Sequence, residues 1–158
     1  MPVQQIEADI TDSTWKIGIV AAQWNSFVTD KMLAGALDLL RSKGLAEDQL
    51  VVARCPGSFE IPLTVKKMLT KVDGVIAIGA VIRGDTPHFD YVCEAVTRGL
   101  ADLNLSSGKP VGFGILTTDT VEQATKRADA ESPKGNKGTE AALAVLEMLS
   151  ITQQIESL

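Results

Sequence analysis

The chain is predicted to fold as an α/β domain of three layers, a four-stranded parallel sheet between helices in αβα order, and three observations predict it. Residues Val75 to Ile82 are apolar at almost every position without alternation, so both faces must be covered, as inside a parallel sheet. Similar apolar runs stand at 16–22, 50–53 and 111–117. Segments of helical period separate them, and strand-helix units in this order give right-handed crossovers with helices on both faces. The strand order is expected to be flavodoxin-like.

Residues 1–14 read as an N-terminal arm, with Val3, Ile6 and Ile10 at no firm period. It is either a tail or an added strand on a neighbouring subunit. Residues 15–158 read as one α/β domain, beginning with a strand from Lys16 to Ala22. Thr29 or Asp30 is predicted to cap the next helix, which carries Met32, Leu33, Ala36, Leu37 and Leu40 inward and stops at Gly44. Leu50 to Ala53 form the second strand, and Arg54 to Ser58 the turn leaving it. Phe59 to Pro62 lead into a helix to which Leu63, Val65, Met68 and Leu69 supply a partly apolar face.

The central strand follows Asp73-Gly74 and is broken by Arg83, Gly84 and Asp85. Thr86 is a good N-cap and Pro87 suits the first helical position, so a helix starts there and turns Val92, Ala95, Val96, Gly99, Leu100 and Leu103 inward. After Gly108-Lys109-Pro110 comes the fourth strand, Val111 to Thr117. Asp119 with Glu122 has capping-box spacing for a short helix to Ala128. A polar loop, Asp129 to Gly138, precedes a last helix from Thr139 to Ser150 with Ala142, Val145, Leu146 and Leu149 on one face.

Composition narrows the function. The chain has 158 residues, 45% of them hydrophobic, with a net charge of −5 and a pI near 4.9. No basic stripe supports binding to nucleic acid or an anionic membrane. No leader or membrane-spanning run is seen, which makes the expected location cytoplasmic. Cys55 and Cys93 match no metal-ligand spacing and are expected to be reduced, buried thiols. Gly79 and Gly84 before Asp85-Thr86 nearly spell a nucleotide-phosphate loop, but aspartate replaces its lysine. Arg83-Gly84-Asp85 as an adhesion tripeptide is a chance-level match.

In open parallel sheets the ligand crevice lies beyond the carboxyl ends of the strands, and the unusual residues gather there. Trp24 and Asn25 follow the first strand, where the indole can stack on a flat heterocycle while its polar neighbour reads the edge. Ser58, Phe59 and Glu60 follow the second; Ile82 to His88 follow the third; Thr117 and Thr118 follow the fourth. The helix N-terminus after Thr86 favours an anion such as phosphate. His88, the only histidine, stands in its first turn and can exchange protons near neutral pH. Asp85 repels such an anion, so backbone N–H groups and a nearby cation must outweigh it. Arg127, at the end of the short helix, and Lys137, in the polar loop, are the candidate cations.

Several long motifs carry a resemblance. Pro56 to Pro62, Gly79 to Val92, Phe113 to Thr118, Glu122-Gln123-Ala124, Arg127-Ala128 and Gly135 to Gly138 together resemble the lumazine synthases, in order and spacing over nearly the whole chain after Lys16. The resemblance implies condensation of 5-amino-6-(D-ribitylamino)uracil with 3,4-dihydroxy-2-butanone 4-phosphate, losing phosphate and water, in riboflavin biosynthesis. It implies no metal and no organic cofactor. Carried over, Trp24 stacks on the pyrimidine; Ser58, Phe59 and Glu60 bind the uracil and its ribityl chain; Ala80, Val81 and Ile82 hold the ring through backbone groups. Asp85, Thr86 and Arg127 hold the phosphate, His88 moves protons, Phe113 arrives from an adjacent subunit, and Lys137 matches a substrate-contacting lysine.

The implied partners are these small molecules and further copies of the chain, as a pentamer or a shell of pentamers. The loop 129–134 is longer than the short form associated with shells, which favours a free pentamer. Pro87 departs from the commoner Thr-Thr pair. A non-catalytic flavin or lumazine carrier, or a shell protein, is the competing reading.

Overall fold

Both faces of every central strand are buried, as the unbroken apolar runs require. The structure, a computed structural model, describes residues 2–11 and 14–158. Four strands, β1 (Ile17–Ala22), β2 (Leu50–Cys55), β3 (Gly74–Ile82) and β4 (Val111–Thr118), form one sheet in the order β2-β1-β3-β4. All pairings are parallel. Five α-helices cover it: α1 (Ser26–Ser42), α2 (Ile61–Met68), α3 (His88–Ser107), α4 (Val121–Lys126) and α5 (Lys137–Glu156).

The strand period of two divides the core. Ile17, Ile19, Ile76 and Ile78 face α1 and α5, packing on Met32, Leu40, Val145 and Leu146. Val20, Val75, Ala77 and Ile115 face α2 and α3, packing on Ile61, Val65, Val96 and Leu100. Each fully buried isoleucine contributes roughly 1.5–3 kcal/mol, so the sheet is a rigid base for whatever its ends carry. β2 is an edge strand, with Val51 and Val52 exposed on its outer side.

The helix boundaries differ from expectation in four places. Helix α3 begins at His88 with Pro87, not Thr86, at its N-cap position. The first helix is capped by Asn25, not by Thr29 or Asp30. Thr29 is fully buried within α1, its hydroxyl donating to Ala22 O at 2.9 Å. The short helix uses the capping box one residue later: Thr120 Oγ1 accepts from Gln123 N at 3.1 Å, and Gln123 Oε1 accepts from Thr120 N at 3.3 Å. The last helix begins at Lys137 and runs to Glu156, longer at both ends than Thr139 to Ser150. Asn136 caps it by accepting from Gly138 and Thr139 N–H.

The early start of α5 depends on close helix packing. A Cβ at Gly138 would overlap the backbone carbonyl of Met32 in α1, and backbone cannot swing aside as a flexible side chain can. Gly138→Ala is therefore expected to cost about 1–3 kcal/mol by overpacking. Thermal denaturation reads this as a lower Tm, about 2–4 °C per kcal/mol at this size.

The described residues 2–11 hold no strand and lie against the chain's own α5. Asp9 N donates to Ser150 Oγ at 2.8 Å, Gln154 Nε2 donates to Glu7 O at 2.8 Å, and Ile10 packs on the core. Asp12 and Ser13 of the predicted arm lie outside the described residues. Cys55 is buried and Cys93 half-buried, and they are not paired with each other. Burial pushes both thiols above their ordinary range, so they stay protonated and weakly nucleophilic at neutral pH. Among the described residues no helix is long and apolar enough to cross a membrane.

Candidate functional site

The sheet's carboxyl edge is uneven, and that creates the site. β3 is paired with β1 only as far as Ile78 but continues to Ile82. On the β1 side, the backbone beyond Ile78 therefore has no strand partner and faces a cleft of about 510 Å³. Asn25 Nδ2 reaches across to satisfy one of these groups, Ala80 O, at 2.8 Å. Its backbone is left-handed, with φ of 62°, a conformation asparagine tolerates better than most residues. Asn25 thus caps α1 and ties it to β3 at once.

Trp24 precedes it, 65% exposed and with its ring over Gly57, where any Cβ would overlap the indole. The turn after β1 is stitched to the turn after β2 by Trp24 N donating to Pro56 O at 2.9 Å. That fixes the indole beside the single helical turn Ser58–Glu60. Phe59 is 63% exposed, whereas Ser58 is buried. Glu60 Oε2 is buried without a hydrogen-bond donor among the described residues. An unpartnered buried acceptor is costly unless a ligand supplies the missing donor. His88 completes the cleft from the first turn of α3.

Nine predicted residues therefore line one cleft: Trp24, Asn25, Ser58, Phe59, Glu60, Ala80, Val81, Ile82 and His88. Tyr91 and Val92 line it too and were not anticipated. The signal was available, because positions three and four after His88 share its helix face.

Phe113, Arg127 and Lys137 line a different cleft, of about 470 Å³, beside edge strand β4, with Thr117, Thr118 and Glu140. Lys137 N donates to Arg127 O at 2.8 Å, and Lys137 Nζ pairs with Glu140 at 2.9 Å. Arg127 Nη1 donates to Gln123 O at 3.0 Å. Asp85 and Thr86 line neither cleft. They sit exposed in the turn between β3 and α3, where Thr86 Oγ1 accepts from His88 N at 3.4 Å. One chain thus carries a largely apolar cleft with an imidazole and an unpaired carboxylate oxygen, and a separate cleft with two cations and an exposed phenyl ring.

The comparisons with known proteins agree along the length of the chain. The sequence model of the family described as 6,7-dimethyl-8-ribityllumazine synthase matches residues 14–153. The 6,7-dimethyl-8-ribityllumazine synthase of Desulfatibacillum aliphaticivorans is 46% identical over 155 residues, covering 97% of this chain and 99% of that protein. The protein of the same name from Nitratidesulfovibrio vulgaris (strain DP4) is 46% identical over 155 residues, with 97% and 98% covered. That from Lactiplantibacillus plantarum is 53% identical over 142 residues, with 89% and 88% covered. With the family model spanning nearly all of the sheet and helices, this chain belongs to the 6,7-dimethyl-8-ribityllumazine synthase family.

Proposed function

We propose that this protein condenses 5-amino-6-(D-ribitylamino)uracil with 3,4-dihydroxy-2-butanone 4-phosphate to give 6,7-dimethyl-8-ribityllumazine, phosphate and water, a step of riboflavin biosynthesis. The observation that carries the reading is one cleft holding the exposed Trp24 face, the unpartnered Glu60 oxygen and His88. A flat pyrimidine stacks on the indole while Glu60 accepts from a ring N–H or ribityl hydroxyl. Ser58 and Phe59 flank the ribityl chain, and backbone groups of Ala80 to Ile82 read the ring edge. Asn25 holds that edge in place through Ala80.

The 5-amino group then attacks the ketone carbonyl and a first water leaves to form an imine; phosphate is eliminated, and the ribitylamino nitrogen closes the ring on the carbonyl so formed with loss of a second water. His88 moves protons in imine formation and elimination. Holding two reactants in register supplies the larger part of the rate, and proton transfer a smaller part of about 10²- to 10⁴-fold.

The phosphate is assigned to the Asp85–Thr86 turn at the N-terminus of α3, with Arg127 as its cation. Since Arg127, Phe113 and Lys137 line another cleft of the same chain, the reading takes them from an adjacent copy. Phe113 closes the second face of the ring, and Lys137 stands beside the bound substrate. The protein works as a homo-oligomer, a free pentamer in the cytoplasm, built from the domain at 15–158.

Mixing purified protein with both substrates tests the reaction. The expected result is fluorescent lumazine forming faster than the uncatalysed background, with inorganic phosphate released in step. Tight pyrimidine or flavin binding with no acceleration would instead establish the carrier reading.

A further inference from the structure

Arg83 lines neither cleft, yet it touches the structure that carries each of them. Its Nε donates to Asp119 Oδ1 at 2.8 Å and its Nη1 stands 3.5 Å from Asp90 Oδ1. The guanidinium carbon lies 4.3 Å from the centroid of the Phe89 ring. Phe89 and Asp90 directly follow His88 in the first turn of α3. Asp119 stands at the corner between β4 and α4, where Arg83 N also donates to Thr118 O at 2.8 Å.

Asp119 and Gln123 lead onward: Asp119 N donates to Gln123 Oε1 at 2.8 Å, and Gln123 O accepts from Arg127 Nη1 at 3.0 Å. An ion pair, three hydrogen bonds and the short pieces of chain between them thus connect the His88 turn through Arg83, Asp119 and Gln123 to Arg127.

We propose that Arg83 is a positioning residue that holds the His88 turn through Asp90 and the corner carrying Arg127 through Asp119, so that each chain presents these two groups in register to the two different sites they serve. The proposal rests on the reading above, in which His88 moves protons and Arg127 holds phosphate. Arginine is suited to the task because its planar fork sends separate N–H groups to two carboxylates while its face lies on Phe89. A lysine ammonium, as a point charge, matches only part of this. The carboxylates of Asp90 and Asp119 are 63% and 64% exposed and Arg83 is 45% exposed, and ion pairs this open add little to stability. The pairing's effect therefore falls on geometry, with both ends of the Gly84–Pro87 turn held by it.

Steady-state kinetics of Arg83→Met, Arg83→Lys, Asp119→Asn and the Arg83→Met/Asp119→Asn pair test it, each alongside thermal denaturation. Arg83→Met is expected to lower kcat and raise KM for the phosphorylated ketone, with kcat/KM down roughly 3- to 30-fold. Its Tm should stay within about 2 °C of the wild type. Arg83→Lys recovers only part of the loss. Asp119→Asn raises KM for the phosphorylated ketone and leaves kcat near wild type, and the double variant is no worse than Arg83→Met alone. Full rescue by lysine, additive losses in the double variant, or losses that merely follow Tm would overturn the proposal. Should Arg83→Met fail to fold, the lysine and asparagine variants decide it. Wild-type protein that makes no product would remove the underlying reading as well, whereas an active wild type with unaffected variants removes only the role of Arg83.

Discussion

Replacing His88 by alanine is expected to lower kcat by about 10²- to 10⁴-fold while leaving a measurable rate above background. The imidazole is the one group in the larger cleft suited to carry protons in both directions near neutral pH. It enters the cleft that Trp24 also lines from the first turn of α3. The stacking surface and the unpaired Glu60 oxygen survive its loss, so pyrimidine affinity should change little. Orientation of the two substrates also survives, which is why the rate does not fall to background. Steady-state kinetics with a separate equilibrium titration of the pyrimidine distinguish these effects. A kcat within twofold of wild type would exclude His88 from proton transfer.

Arg127→Ala is expected to act on the other substrate. A hydrogen bond to a charged group contributes about 1.5–3 kcal/mol, so KM for the phosphorylated ketone should rise about 10- to 150-fold. Binding of the pyrimidine should stay within a factor of about two, because Arg127 lines a different cleft from Trp24 and Glu60. The structural cost should be small, since the Arg127 side chain, half-buried at the C-cap of α4, donates to Gln123 O in a solvent-exposed hydrogen bond. Equal losses for both substrates would refute the phosphate assignment.

The central strand was legible because a strand buried on both faces leaves a continuous apolar run, which Val75 to Ile82 shows; Val111 to Leu116 is apolar as well, although β4 lies at an edge with Phe113 exposed. Caps were harder to place, because local spacing offers alternatives that only tertiary contacts resolve. Asp119 with Glu122 and Thr120 with Gln123 fit the capping pattern equally well, but the Asp119 carboxylate is engaged by Arg83, leaving the cap to Thr120. Asn25 was read as a loop residue beside Trp24. Its left-handed cap becomes apparent only when the end of β3 is placed opposite it. Likewise Gly138 looked like part of a loop until α1 was seen to need a residue without a Cβ there.

Seven members of the candidate site were legible because they follow strand ends on one rim, while Ala80 and Val81 came from the family resemblance. Their division from Phe113, Arg127 and Lys137 was not legible from spacing. Phe113 lies within β4 rather than beyond its end, and β4 is an edge strand whose cleft opens to one side. Family resemblance had pointed to a second subunit for Phe113 alone.

The split site is tested most directly by co-expressing His88→Ala and Arg127→Ala chains in equal amounts and assaying the mixed oligomer. If His88 of one copy works with Arg127 of its neighbour, about a quarter of the interfaces in a random head-to-tail ring are intact. Assayed with the phosphorylated ketone well below the wild-type KM, product formation should then recover to about that fraction of wild type, above either variant alone. Activity that stays at the level of the separate variants would place both residues in a site built by one chain, contradicting the account.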